Sequence, residues 1–543
     1  MTDNTFVRWI DDTFLDLGRQ FRWSYLPPLM VYLAAGVSGL TAIVGTFFIK
    51  EYLELSAAFL AGLAFWAGIP WTLKMPLGHL VDLIWRSKAV LVYLGASLIA
   101  LSILIMYGII AHTQAMSQFL DVEAWFVISS ILAPTGYVVQ DVVADAMTVE
   151  AVPLIDEQGE PFSDGEIKLM HTTMQTLGRV AIIGGFVGVA VLNITMFSGV
   201  EDMSQAMKVD IYADIYLMAL SIPLISVIGV ILGSLMLRRR AKDLLQQGVD
   251  AAEIDRMLLL SSEKTEPNWW ILGGSLVFVV FTLSMGVSDV PLAQEIIFLG
   301  SMAIILFVMY KLLLVLEPGP RRTLVGTAII IFVFRAVPLP GPGATWFEID
   351  ILEFDQQFLS VLSFIGAALT LLGMIVLRPL MAKRSIAYIV ALLTIAGGIL
   401  SLPNIGLYYG LHEWTASITS GIVDAHFVAI IDTALESPLG QIAMIPMLAW
   451  IARNAPAHLK ATFFAVMASF TNLALSASSL LTKYMNQIYT VTREVRDQIT
   501  DLVKIPADYS ELGWLLISVT IISVLAPLLT IAIVQKSRFR SQQ

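Results

Sequence analysis

The sequence predicts an all-α polytopic membrane protein whose fourteen spans form two six-helix bundles with two helices inserted between them. Three observations predict this. First, of 543 residues, 57% are hydrophobic and only 14% charged, with a mean hydropathy of +0.79; a soluble globular chain carries about 25% charged residues. Second, apolar runs of about 20 residues, the length that crosses a bilayer, recur along the chain. Third, the cations divide by side. With the N-terminus placed inside, 24 of the 32 Lys and Arg residues fall in inside loops and tails and 6 outside, while Arg179 and Arg335 lie within spans. This is the positive-inside bias, and a shift of one helix would invert every later loop. It places both termini on the cytoplasmic side of a cell (inner) membrane.

The elements follow in order. In residues 1–26, Phe6, Val7, Ile10, Phe14, Leu17 and Phe21 recur at helical spacing among charges. That pattern predicts a cytoplasmic amphipathic helix lying on the membrane, without the apolar core of a cleavable signal. The first bundle, 27–237, takes spans at 28–49, 56–77, 88–112, 124–149, 170–197 and 213–237. A cytoplasmic linker, 238–267, opens with Arg238, Arg239, Arg240 and Lys242, a cluster suited to anionic headgroups. The inserted helices are expected at 268–289 and 293–317. The second bundle, 318–543 with its cytoplasmic tail, takes spans at 323–339, 356–379, 385–403, 427–452, 458–484 and 511–535. The run at 323–339 is short, carries Arg335 and precedes PLPGPG; the polar stretch 485–510 reads as an amphipathic surface helix. Trp269, Trp270, Tyr408 and Tyr409 lie near span ends, as interface anchors do. Gly184, Gly185 and Gly188 read as a close-packing helix face.

Several classes of function lack support. The net charge of −11 argues against nucleic acid. There are no cysteines, hence no disulfides or thiol chemistry, and the six histidines hold no metal-ligand spacing. No P-loop, GxSxG or HExxH occurs. The chain is therefore expected to be no enzyme and to need no cofactor or metal. Its expected partners are a small-molecule solute, membrane lipids and protons, and it is expected to act as a monomer.

The chemistry concentrates in 129–150, SSILAPTGYVVQDVVADAMTVE, where Gln140, Asp141, Asp145 and Glu150 occupy a predicted span. A carboxylate at the centre of a spanning helix costs roughly 2.5–3.5 kcal/mol on insertion scales, so it faces a partner or a wet passage. Asp141 and Asp145 share one helix face, one turn apart. Arg179 and Asp141 each lie about nine residues from the same end of their spans, roughly 13 Å deep at the helical rise, so they are expected to pair. Asp432 and Glu436 repeat the one-turn spacing in the helix that pseudo-symmetry relates to 124–149. One carboxylate pair is expected to couple a proton or cation and the other to be structural; the sequence leaves open which. Arg335 either snorkels or faces a central cavity. Phe65, Trp66 and Trp71 could wall a flat solute or pack against lipid.

Paired six-helix halves resemble the major facilitator superfamily, whose sites lie near the midplane between the halves. Residues 78–88, GHLVDLIWRSK, are similar to that superfamily's loop signature at Gly78, Asp82, Arg86 and Lys88, where the glycine would permit close helix approach. Upstream, IPWTLKMPLG resembles the Pro-Trp-x-x-Lys segment of the folate–biopterin transporter family, a branch of that superfamily, at Pro70, Trp71 and Lys74. QDVVADAMTVE resembles the same family's acidic fourth helix, and IFVFRAVP its arginine-bearing seventh core helix. The run 431–473 resembles its tenth and eleventh core helices, with Asp432, Glu436, Gln441, Pro446, Pro456, Ala461, Thr462, Ser469 and Asn472 in register. Met75 stands where the family has proline, and Lys460 where it often has a carboxylate. The resemblance implies a secondary active transporter of a small anionic or zwitterionic, folate- or pterin-like solute, working by alternating access. Lys74, Arg179 and Arg335 would handle solute charge, and the carboxylates proton coupling. The alternatives are a facilitator of another solute class, such as a sugar, drug or amino acid, or a non-transporting scaffold that keeps the fold.

Overall fold

A computed structural model describes residues 19–72, 74–153, 162–200, 203–258, 290–314, 316–376, 384–437, 460–496 and 503–540, with scattered positions between 269 and 285. The first half contains α1 (Trp23–Tyr52), α2 (Ala57–Thr72), α3 (Lys74–Leu83), α4 (Ala89–Ala111), α5 (Val122–Ala151), α6 (Asp164–Met196), α7 (Gln205–Ala219) and α8 (Ser221–Gln246). Then come α9 (Ala293–Leu313), α10 (Pro318–Arg335), α11 (Pro342–Asp350), α12 (Gln356–Val376), α13 (Ile386–Tyr408), α14 (Ala425–Glu436), α15 (Lys460–Ile488) and α16 (Leu512–Lys536). Among the described residues, eight helices are long and apolar enough to cross a membrane. Below, the terminal face is the side where α1 starts, and the distal face the side where it ends.

Local chemistry sets these ends. Ser163 and Glu166 form a reciprocal capping box at the start of α6. The side chains of Ser385 and Asp424 cap α13 and α14 by accepting from the backbone N–H groups of Tyr388 and Phe427. Without hydrophobic drive between helices in lipid, small residues permit tight packing. A Cβ on Gly95 of α4 or on Gly136 of α5 would lie 2.6 Å from the other's carbonyl oxygen, and beside them Ser102 and Ser129 exchange hydroxyl bonds. Of the glycine triplet, only Gly185 packs this way, against the backbone of Gly36 and Val37; a Cβ at Gly184 or Gly188 would meet nothing within 4 Å.

Four expectations are corrected. The short run at 323–339 is one part of a broken element. Helix α10 stops at Arg335, the chain unwinds over 336–341, and α11 resumes the path to Asp350. Unwinding frees backbone groups that hydrocarbon cannot satisfy, and α15 satisfies them. Ser478 donates to the Val337 carbonyl at 2.6 Å, Thr482 accepts from the Leu339 N–H at 2.9 Å, and Asn486 donates to the Pro340 carbonyl at 3.1 Å. These three side chains recur every four residues, on one helix face. Second, 485–510 is not a surface helix where it is described: α15 ends at Ile488, and 489–496 and 503–510 are not helical. After α15 the chain forms a small antiparallel pair, β1 (Val495–Arg496) with β2 (Val503–Ile505), extended by a bridge between Thr492 and Asp508. Third, α8 runs to Gln246, so the basic cluster at 238–242 is helical rather than linker. Fourth, Gly78 makes no close approach to the described residues, since a Cβ there would meet none of them within 4 Å.

The halves meet along two seams, α2 against α15 and α6 against α12. Inserted helix α9 docks on the first. Gln294 donates to the Gly62 carbonyl of α2 at 3.1 Å, while Lys483 of α15 lies 3.1 Å from Glu295, which also accepts from the Tyr484 hydroxyl. Phe65 is fully buried there with Ile297 and Leu480, so it packs the seam rather than walling a cavity. The N-terminal segment 1–18 and most of the expected span 268–289 lie outside the described residues, as do Gln441, Pro446 and Pro456.

Candidate functional site

Four helices of the first half converge on one charged cluster. Lys74 opens α3, beyond Pro70 of α2, a residue with no N–H for the helical ladder. Its ammonium lies 2.6 Å from Asp141 and 2.8 Å from Asp145, the two carboxylates that share a face of α5. Tyr32 of α1, itself buried, donates its hydroxyl to Asp145 at 2.7 Å. A Cβ on Gly178 of α6 would lie 2.9 Å from the Tyr32 ring, so this glycine lets the tyrosine stand against α6. The next residue, Arg179, is exposed and within electrostatic reach of Asp141 and Tyr32. Asp141 thus takes Lys74, not Arg179, as its ion-pair partner. The depth argument placed Arg179 beside the cluster, but Lys74 reaches both carboxylates first. Asp145 keeps 47% of its side chain exposed, and Asp141 18%.

Other expected site residues take different places. Gln140 is buried away from the cluster, donating to the Val92 carbonyl and accepting from Ser226, so it ties α4, α5 and α8 together. Lys88 is buried, bonds Glu150 at the end of α5 and lies over the Trp85 ring at 4.2 Å. It therefore fixes the loop after α3 to the terminal end of α5, and Glu150 is not simply solvated. Arg86 is exposed, and the side chain of Asp82 lies outside the described residues. Asn472 of α15 donates to the Trp71 carbonyl at 3.3 Å, joining the halves beside Lys74.

In the second half, Arg335 sits at the carbonyl end of α10, where a cation suits the helix dipole. Asp432 of α14 is 6% exposed and accepts from Asn404 of α13 at 2.9 Å. Glu348 of α11 and Glu436, which is exposed, are the charged groups acting on it.

The distal face is sealed across the halves. Lys50 at the end of α1 pairs with Asp350 at the end of α11, and Asp350 also accepts from the Tyr509 hydroxyl at 2.5 Å. Lys504 pairs with Glu54 at 2.9 Å, and Gln356 donates to Tyr212 at 2.8 Å. Arg493, 3% exposed, donates to the carbonyls of Lys50, Leu55 and Ile49 at 2.8, 2.7 and 2.6 Å and to that of Leu53. These carbonyls lie at and just beyond the end of α1, where helical partners run out, though that of Ile49 also accepts from the Leu53 N–H. The guanidinium also lies 4.2 Å from the Trp346 ring of α11. Burial pushes its pKa down to about 10, which leaves it cationic at neutral pH. Sequence reasoning missed Arg493, Glu348 and the Ser478–Thr482–Asn486 ladder; only the four-residue spacing of the last was there to be found.

A family model described as the BT1 family matches residues 272–542, about half of the chain. A folate-biopterin transporter from Synechocystis sp. is 25% identical over 176 residues, which span 32% of this chain and 34% of that relative. The alignment thus covers about a third of the relative's length. Among solved structures, a POT family transporter in complex with 5-aminolevulinic acid matches with a TM-score of 0.60 at 12% identity, covering 97% of this chain and 96% of that one. A nucleoside transporter, a variant of NupG, matches with a TM-score of 0.52 at 12% identity, covering 94% and 99%. At such identities the solved structures show the fold alone, and that fold is the two-bundle one of solute carriers. The chain belongs to the BT1 family, and its fold is the one these solved transporters share.

Proposed function

We propose that the protein is a secondary transporter carrying a small anionic or zwitterionic solute of the folate or pterin class, by alternating access and with proton coupling. The observation that carries this is the cluster of Tyr32, Lys74, Asp141, Asp145 and Arg179. Two carboxylates and two cations leave it neutral, so an arriving solute can exchange partners without leaving a buried charge uncompensated. The exposed face of Asp145 can accept the adjacent N–H donors of a pterin edge, and Arg179 can take a solute carboxylate in its fork. A scaffold has no need of this arrangement. The name of the Synechocystis relative supports the solute class. The compound bound to the POT neighbour carries an amine and a carboxylate, which fits the same charge pattern.

Alternating access is supported by the distal seal, where polar side chains bridge the halves between Lys50 and Asp350, Lys504 and Glu54, and Gln356 and Tyr212. The positive-inside bias would make the distal face extracellular. The test is uptake of labelled biopterin, folate and 5-aminolevulinic acid into proteoliposomes under an imposed proton gradient. For the true solute, Asp145→Asn should raise KM about tenfold, the worth of one charged hydrogen bond. If none of these compounds is accumulated and none shifts the melting temperature, the proposal is wrong.

A further inference from the structure

The loop after α3 and the terminal ends of α4, α5 and α8 enclose a cavity of about 330 Å³, within the roughly 300–1,000 Å³ of ligand pockets. It lies across α5 from the solute cluster. Val143 and Met147 line it, each two residues from an aspartate of that cluster and so about half a turn round the helix. Its walls divide by chemistry. One is charged, with Arg86, Glu150 and Lys88, which is 9% exposed. Lys88 donates to the Trp85 carbonyl at 3.2 Å and to Glu150, which uses two of the three N–H groups of its ammonium. Helix α4 also starts here, at Ala89, with no side chain capping it, so the positive end of its dipole meets the same space. The facing wall is apolar, from Val143 and Met147 of α5 and Val230 and Leu237 of α8. Among the described residues that line it, two side chains are cationic and one is anionic. The Asp82 side chain and the acidic stretch 156–160 lie outside the described residues.

The depth of the cavity says what would fill it. On α8 the apolar run ends at Leu237, and Arg238, Arg239 and Arg240 follow. That change marks the border between hydrocarbon and headgroups, and the cavity sits on it. Beside its lining residues stand exposed aliphatics: Val90 next to Ala89, Val149 next to Glu150 and Leu235 next to Ser234. In a chain that spans a membrane these face acyl chains. A soluble anion would gain nothing from this apolar rim, whereas a lipid would use both walls.

We propose that this cavity binds one anionic phospholipid from the leaflet at the terminal face. The phosphate sits on Arg86, Lys88 and the start of α4, and the acyl chains leave over the apolar wall. The Arg86 guanidinium can take two phosphate oxygens in its fork, and the third N–H of Lys88 a further one. Glu150 holds Lys88 at the cavity wall and can accept from a headgroup hydroxyl, as in a glycerol headgroup. Basic pockets between spanning helices suit anionic headgroups. Nothing in this site depends on the identity of the transported solute.

Native mass spectrometry of the purified, delipidated full chain tests this. The chain is titrated with phosphatidylglycerol, phosphatidylethanolamine and phosphatidylcholine, and separately with glycerol 3-phosphate. The first phosphatidylglycerol should bind at least about tenfold more tightly than either zwitterionic lipid, and excess glycerol 3-phosphate should leave it in place. Arg86→Gln should weaken it about tenfold, the worth of one charged hydrogen bond. Ser234→Phe fills the cavity from α8 without removing a charge and should erase the preference. Arg86 is exposed, so its variant reads binding even where Ser234→Phe does not fold. Arg238→Gln/Arg239→Gln, at exposed positions outside the lining, should change the affinity less than about threefold. Equal retention of the three lipids would overturn the site, as would full binding by Arg86→Gln. An equal loss in the Arg238/Arg239 double variant would place the headgroup on the surface of α8 and overturn the cavity. Displacement by glycerol 3-phosphate would make the ligand a free phosphate ester and overturn the lipid. Failure to accumulate pteridines would strike the solute assignment and leave these readouts untouched.

Discussion

Replacing Arg493 with alanine withdraws the donor that ties the loop after α15 to the end of α1. Four carbonyls, of Ile49, Lys50, Leu53 and Leu55, lose a donor, and Trp346 loses the cation on its face. Water at the distal surface re-solvates both sides when the seal opens, so each bond counts at the modest net value of about 1 kcal/mol rather than the gross one. The cation–π contact adds roughly 1 kcal/mol. Together this is about 4–5 kcal/mol in favour of the sealed arrangement, or roughly a thousandfold in the opening equilibrium. The chain has no cysteine, so a Leu359→Cys reporter has no background. Leu359 comes from α12 and is partly buried against the core of the first half, so opening of the seam should raise its labelling. Where reclosing outpaces labelling, the rate follows the opening equilibrium. Arg493→Ala should then raise the labelling rate by at least about a hundredfold, and Arg493→Lys, with a point charge in place of a fork, should restore only part of the protection. A change under about threefold would refute the latch. So would an equal rise at a Val230→Cys control in the core of the first half, which would report general loosening.

Three further outcomes are expected. Lys74→Ala leaves Asp141 and Asp145 facing each other and should cost about 3–5 kcal/mol, read as a lower melting temperature that added Asp141→Asn largely restores. Gly341→Ala sets a Cβ 2.7 Å from the Asn486 amide nitrogen at a positive φ. It should cost about 1–3 kcal/mol and lower the melting temperature, and an unchanged melt would mean that the unwound segment relaxes freely. Lys483→Ala strips Glu295 of its cation at the seam. Spin labels on α9 and α15 should then show a broadened distance distribution, and an unaltered one would show that apolar contacts alone hold the inserted helix.

Much of this was legible in sequence because burial and charge leave one-dimensional traces. Where residues are described, the long helices overlap the apolar runs, although α11 and most of α3 lie outside them, and Asp141 with Asp145 read correctly as one face of one helix. The interruption of 318–350 was half legible. PLPGPG announces a break, but that the chain resumes as α11 depends on Ser478, Thr482 and Asn486 more than a hundred residues away. Pairing Arg179 with Asp141 failed because depth along a helix says nothing of rotation about it; Lys74 reaches both carboxylates from the break after α2. The loop at 485–510 was misread because its alternating charges suit a surface helix as well as a hairpin. What decides is Arg493, and its acceptors are backbone carbonyls, which carry no sequence signal.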